Sequence, residues 1–309
     1  MLKDCLPGSL FTGTVLVSEW KESPFRQKQG TFVMLTCQDA SGSLPAKIWE
    51  PDAMQLTWLS RHRVFQIKAA VGEYKGGLEL AIEAMRPLAE DDLDFSLLLP
   101  SSPFSGEELE MRLQKIRRQI AHPALTALVA QILDDAELGA AFRRAPAAAK
   151  IHQAYLRGLW EHSLAVAELA GAIGDLYPES DRDLLLTGAL LHDLGKIEEY
   201  GFEPGVAVTT NGRLLGHIVM GVEMISRAVA EIPEFPADLR LKLLHIITSH
   251  HGRYEWQSPR RPKCLEALIV HYADALEADL WQFRRARADN PGQIWSPYLK
   301  PLERCVYLE

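Results

Sequence analysis

The hydrophobic positions of this chain follow two different periods. From about Gly8 to Leu88 they alternate with polar positions over short runs, at residues 11–17, 31–37, 44–49, 64–71 and 78–82. Alternation of period two marks half-buried strands, and the clusters Asp39-Ala40-Ser41-Gly42 and Lys75-Gly76-Gly77 mark turns between them. With one brief helix around 54–59, the pattern predicts a small closed barrel. Beyond residue 105 the period becomes helical. Ser105 can cap a helix opening at Gly106-Glu107-Glu108, whose apolar stripe is Leu109, Leu113, Ile116 and Ile120. A second helix is expected from Pro123 to about Phe142, ended by Arg143-Arg144-Ala145-Pro146, and the chain reads as all-α from there to about Arg287.

The fold class expected is therefore two-domain: an N-terminal all-β OB-fold barrel followed by an all-α domain. The boundaries are a barrel over 1–89, a linker over 90–105, a helical lead-in over 106–150, the chemistry-bearing domain over 151–290 and a C-terminal tail over 291–309. Such a barrel binds single strands by stacking bases on aromatic rings and pairing phosphates with cations. Candidates for stacking are Trp20, Phe25, Phe32, Trp49, Phe65 and Tyr74, and for phosphate Lys28, Lys47, Arg61, Arg63, Lys68 and Lys75. Phe32, Trp49, Lys47 and Lys68 lead. Any small barrel also needs aromatic core residues and solvated charges, so the pattern alone does not separate core from contact.

Chemistry concentrates around Leu184 to Ile197, LLLTGALLHDLGKI, where an apolar helix runs into His192-Asp193, Gly195 and Lys196. His162 shares a helix face with Leu159, Val166, Leu169 and Ile173, so it points inward. His250 and His251 close an apolar helix that Gly252 stops, and Asp274 lies one turn after Val270 on another apolar face. A buried carboxylate without a cation or donors costs several kcal/mol as an order of magnitude, and a metal ion removes that cost. His162, His192, Asp193 and Asp274 would form one site. With Asp193 bridging, His217, His250 and His251 would hold a second ion. Imidazole and carboxylate ligands without thiolates favour a hydrolytic divalent ion such as manganese, cobalt, iron, nickel or zinc, with magnesium also compatible. Two ions suit hydrolysis at phosphorus, with Lys196 neutralising phosphate charge. Asp193 and Lys196 are thus the catalytic candidates, and Lys150 and His152 are candidates for substrate contact or for protonating the leaving oxygen. His62, His122, His245 and His271 read as structural or surface histidines.

Composition narrows the class further. With 309 residues, 47% hydrophobic and 24% charged, the chain reads as an ordinary soluble protein. The net charge of -8 argues against indiscriminate duplex binding but leaves room for local basic patches. Cys5, Cys37, Cys264 and Cys305 lack C-x-x-C spacing, so a reducing cytoplasm is expected. No signal peptide or membrane span is expected either.

The ordered ligand set resembles the HD-domain metal-dependent phosphohydrolase superfamily. The stretches Gly158-Leu159-Trp160-Glu161-His162, Leu191-His192-Asp193-Leu194-Gly195-Lys196, Gly212-Arg213-Leu214-Leu215-Gly216-His217, Ser249-His250-His251-Gly252 and His271-Tyr272-Ala273-Asp274 are similar to the YhaM-type 3′-to-5′ exoribonucleases, as is Gln29-Gly30-Thr31-Phe32 in the barrel. The resemblance covers nearly the whole chain. It implies that the domain over 151–290 is an HD domain, and that the protein is a manganese- or cobalt-stimulated cytoplasmic homo-oligomer. It also implies an enzyme that removes nucleoside monophosphates from single-stranded RNA, or DNA, 3′ ends. The chain departs from that family at His152-Gln153, where paired histidines are usual, and at Ala275 and Asp279, where an Asn and a Lys are usual.

Other function classes lead to different expectations. A deoxynucleoside triphosphate (dNTP) phosphohydrolase would use the same ligands but leave the barrel without a task, and a dinuclear iron oxygenase would reuse them for redox chemistry. The GRYEWQSP segment after His250-His251 lacks the GYP signature of cyclic-dinucleotide hydrolases. A non-catalytic nucleic-acid-binding protein would have no need of a complete ligand set with Lys196.

Overall fold

A computed structural model describes residues 1–25, 28–74, 76–88, 98–148, 153–201 and 207–309; Lys75, Lys150 and His152 fall outside them. The chain divides into two compact units, one of Met1–Ser101 with Gly201–Ala207 and one of Ser102–Tyr200 with Val208–Glu309.

The first unit is a closed barrel of β1 (Leu10–Pro24), β2 (Thr31–Asp39), β3 (Gly42–Trp49), β4 (Val64–Tyr74) and β5 (Gly77–Pro87), with spatial order β1-β2-β3-β5-β4. All pairings are antiparallel except β3 with β5, the crossover that closes an OB-fold barrel. Helix α1 (Ala53–Arg61) connects β3 to β4, opened by a capping box between Asp52 and Gln55, and its Leu59 joins the barrel core. Val15, Val17, Val33, Leu35, Ile48, Phe65, Ile67 and Leu80 fill the interior. Phe65 is fully buried, so it is a core residue and not a base platform. The alternation misses the length of β1, whose second half runs on as Glu19-Trp20-Lys21-Glu22-Ser23-Pro24 paired with β2, after a register shift between Val17 and Glu19.

The second unit is helical: α2 (Gly106–Arg117), α3 (Pro123–Leu133), α4 (Leu138–Arg144), α5 (Gly158–Gly174), α6 (Arg182–Leu191), α7 (Lys196–Glu199), α8 (Thr210–Ala230), α9 (Ala237–Ser249) and α10 (Leu265–Asp289). Ser105 caps α2 as expected, and Glu108 completes a capping box with it. The single helix expected over 123–142 is two. Asp135 Oδ1 accepts from the Glu137 and Leu138 backbone amides and starts α4 afresh, and Gly139 packs against the Leu133 carbonyl where a side chain would collide. Nor is the unit wholly α, since Tyr200–Gly201 (β6) pairs with Ala207–Val208 (β7). Of the expected linker, Leu98 and Leu99 are buried. The C-terminal tail is anchored: Leu302, Val306 and Leu308 form a small core with Ala286 of α10.

Phe142 lies fully buried in α4. Phe142→Ala should destabilise the helical unit by about 3–5 kcal/mol, read as a lowered midpoint of its urea unfolding transition.

Candidate metal centre

The chemistry gathers where helices end. A helix leaves its last carbonyls without intrahelical partners, and two histidines at such ends use them. His192, just past α6, donates its Nδ1 proton to the Ala189 carbonyl at 2.8 Å, and His250, just past α9, donates to Ile247 at 2.8 Å. His251 donates to the Trp256 carbonyl at 2.7 Å. His217 donates to Glu199 Oε2 at 2.9 Å, and His162 to Glu277 Oε2 at 2.6 Å. Each bond assigns the tautomer and turns Nε2 toward a common interior.

Two glycines make this approach feasible. Gly195 lies so close to the His217 carbonyl and the Gly221 amide that any Cβ there would collide with the α8 backbone. Gly216 adopts φ 71° and ψ 156°, which interrupts α8 and lets it restart at His217, with the Glu199 carboxylate accepting from the His217 amide at 3.3 Å.

Asp193, 1% exposed, sits between the histidines. Its Oδ2 lies 3.5 Å from His162 Nε2, 3.3 Å from His192 Nε2 and 2.6 Å from Lys196 Nζ. Its Oδ1 lies 3.5 Å from both His217 and His250 Nε2. Asp274 Oδ1 is 3.2 Å from His162 Nε2 and 3.8 Å from His192 Nε2. The structure thus brings all seven expected ligands and Lys196 together: His162, His192 and Asp193 form one group and His217, His250 and His251 another, each with donor atoms within 4.8 Å of one another, and Asp274 borders the first.

These residues fit a divalent ion. Asp193 Oδ1, His217 Nε2 and His250 Nε2 are buried with no hydrogen-bond partner, which would be costly unless a cation completes them. The His162 and His192 Nε2 atoms stand 3.2 Å apart. Donors bound to one ion at about 2.0–2.2 Å stand roughly that far apart.

The electrostatics agree. Burial disfavours the charge on Asp193, but Lys196 and the histidines hold its carboxyl well below the usual range; Lys196, likewise opposed by burial, is raised by Asp193 and stays charged. Burial lowers His250, and burial together with the neighbouring His250 lowers His251 to about 4, so both are neutral at pH 7. His162 goes the other way: against the cost of burial, Asp274 and Glu277 push it to about 10. A metal ion on His162 Nε2 would have to displace that proton.

Sequence reasoning missed three supporting residues. Glu277 orients His162, Glu199 orients His217, and Gln153 Nε2 donates to the second oxygen of Glu277 at 3.1 Å. The signal for the first was present, because His271, Asp274 and Glu277 recur every three residues on one face of α10. His271 is buried and donates to the His250 carbonyl at 2.7 Å, so its structural role brackets the ligands.

A family model described as HD domain matches residues 159–279. Over 256 residues, covering 82% of this chain and 81% of each relative, the sequence is 34% identical to the 3′-5′ exoribonuclease YhaM of Bacillus velezensis and 34% identical to that of Bacillus subtilis. The chain belongs to the YhaM 3′-5′ exoribonuclease family. A solved OB-fold domain, the second of replication protein A from Methanococcus maripaludis, covers 30% of this chain and 97% of its own at 17% identity and a TM-score of 0.25. As a member of the YhaM family with an HD domain, the chain carries a divalent-metal centre.

The barrel holds the remaining candidates. Phe32 and Trp49 are register partners on β2 and β3 with ring centroids 5.5 Å apart, and Phe25 stacks on both at 5.5 and 6.0 Å. Lys28 lies over Phe25 at 4.2 Å, and Lys47 lies 5.3 Å from Trp49 and 4.4 Å from Tyr74 while paired with Glu79 at 2.9 Å. Lys47 and the half-buried Trp20 line a groove of about 310 Å³ over β1, β2 and β3. Lys68 lies on β4, where it pairs with Glu83 of β5 at 3.5 Å.

Two predictions follow from this geometry. Because a metal ion must displace the His162 proton, manganese affinity should rise with pH, by up to about tenfold per unit between pH 6 and 9, with proton release seen by calorimetry in buffers of different ionisation enthalpy. Glu277→Ala, which frees the His162 ring, should weaken that affinity by roughly 10- to 100-fold in the same titration.

Proposed function

We propose that this protein is a metal-dependent 3′-to-5′ exoribonuclease that hydrolyses single-stranded RNA to nucleoside monophosphates. The observation that carries the reading is Asp193, a buried carboxylate whose two oxygens face two separate histidine groups. Family membership supports the substrate, because the relatives are named 3′-5′ exoribonucleases.

His162, His192, Asp193 and Asp274 would hold one divalent ion, and His217, His250 and His251 a second with Asp193 shared. Manganese is the leading choice for such an imidazole and carboxylate set. Bound there, the ions supply Lewis acidity toward a phosphoryl oxygen and a lowered pKa for the attacking water. Water adds to the terminal phosphorus, the bond to the penultimate ribose 3′-oxygen breaks, and that oxygen takes up a proton. Lys196, held beside Asp193 and kept charged, offsets the negative charge that builds on the phosphate. Glu277 and Glu199 keep His162 and His217 turned inward throughout. The Phe25-Phe32-Trp49 stack, with Lys28 and Lys47, provides a sequence-tolerant platform for the strand.

The test is hydrolysis of a 5′-labelled single-stranded RNA beside matching DNA and a deoxynucleoside triphosphate, with manganese and with chelator. A ladder shortening from the 3′ end, lost on chelation, is expected. Asp193→Ala should cut the rate by at least roughly a hundredfold while strand binding persists. An inert RNA beside a consumed triphosphate would replace this reading with a nucleotide phosphohydrolase.

A further inference from the structure

The segment joining α9 to α10 has a composition unlike the rest of the chain. Residues 253–263 read RYEWQSPRRPK: four cations, one carboxylate and two aromatic rings in a protein of net charge -8. It begins two residues after His251. The Arg253 guanidinium lies 4.7 Å from the Trp256 ring centroid and that of Arg261 lies 5.2 Å from Tyr254. Tyr254 and Trp256 are 56% and 49% exposed, so both rings are open to a ligand from solvent.

Trp256 is tied to the metal centre through its backbone, since its carbonyl accepts the His251 Nδ1 proton. Trp256 lines a cavity of about 290 Å³ that also touches Asp193, Lys196, His251 and Asp274. The cavity follows α10 from Asp274 past the small side chains of Ala275 and Ala278 to Asp279. Five residues of helix rise by about 7.5 Å, roughly the reach of one nucleoside. The two ends of the cavity also differ in charge. Lys196 beside the ligands attracts phosphate, whereas the exposed Asp279 repels it and suits hydroxyl donors. An aromatic wall between a cationic and an acidic end matches a nucleotide lying with its phosphate at the ligands and its base against the ring.

We infer that this cavity is the subsite for the 3′-terminal nucleotide, with Trp256 as the platform on which its base stacks and the flanking cations, Arg253 first, drawing in the strand. The inference rests on the exonuclease reading and adds a specificity-determining residue to it. Stacking reads a π-face and not an edge pattern, so the subsite accepts all four bases but distinguishes an end that has a base from one that has none.

The experiment uses the full chain with manganese and two 5′-labelled RNAs differing only in whether the 3′-terminal ribose carries a base. The wild-type protein should remove the base-bearing end roughly ten times faster in kcat/KM. Trp256→Ala should bring that ratio close to one, and Trp256→Phe should keep most of it. Manganese affinity of Trp256→Ala should match the wild type, because the His251 partner is a backbone carbonyl. Equal removal of both ends by the wild type, or an undiminished ratio in Trp256→Ala, overturns the subsite and leaves the exonuclease standing. A Trp256→Ala protein that has lost manganese affinity makes the ring structural and overturns it too. RNA left intact by the wild type removes the exonuclease reading, and the subsite with it.

Discussion

A carboxylate with 1% exposure, surrounded by imidazole nitrogens, is the constraint on which the helical unit depends. Asp193 stays charged because Lys196 lies 2.6 Å from one of its oxygens, but a single ammonium does not satisfy the other. Its second oxygen and the Nε2 atoms of His217 and His250 form a buried set of acceptors without donors. Such an arrangement is unfavourable for a protein alone and favourable for one that binds a cation, so the fold stores the requirement for metal in its own unmet valences.

Helix termini deliver the donors. His192 and His250 each bond the carbonyl three residues back, a partner that exists only because the helix stops there. The same stop releases the next residue to turn inward, Asp193 in one case and His251 in the other. His217 comes from an interrupted helix instead, where Gly216 resets the backbone and Glu199 both caps the restart and holds the ring. Two kinds of backbone device, helix ends and a helix break, thus converge on one interior, and Gly195 permits the closest of these approaches.

The two units divide the physical task by the forces they use. The barrel presents rings and ammonium groups at its surface, an arrangement suited to weak, repeated contact with any strand. The helical unit buries charge and lone pairs around Asp193. Lys47 shows the compromise in the barrel, since it borders Trp49 and Tyr74 while already paired with Glu79.

Period and punctuation carried most of the architecture. The switch from alternation to helical spacing near residue 105, the Ser105 cap and the glycine-terminated histidine helices are local signals, and local signals survive in a linear sequence. The seven candidate ligands that the fold gathers were legible as a set because they sit on apolar faces or at helix ends, where a His or Asp stands out. What sequence could not supply was anything that depends on which elements meet. The break at 134–137 hung on Asp135 bonding and Gly139 packing, and Phe65 was divided from Phe32 and Trp49 by which face of the barrel each occupies. Glu277, Gln153 and Glu199 acquire their roles only through partners 115, 124 and 18 residues away. Those distances close only in the folded chain, so tertiary structure alone decided which further carboxylates hold the histidines in place.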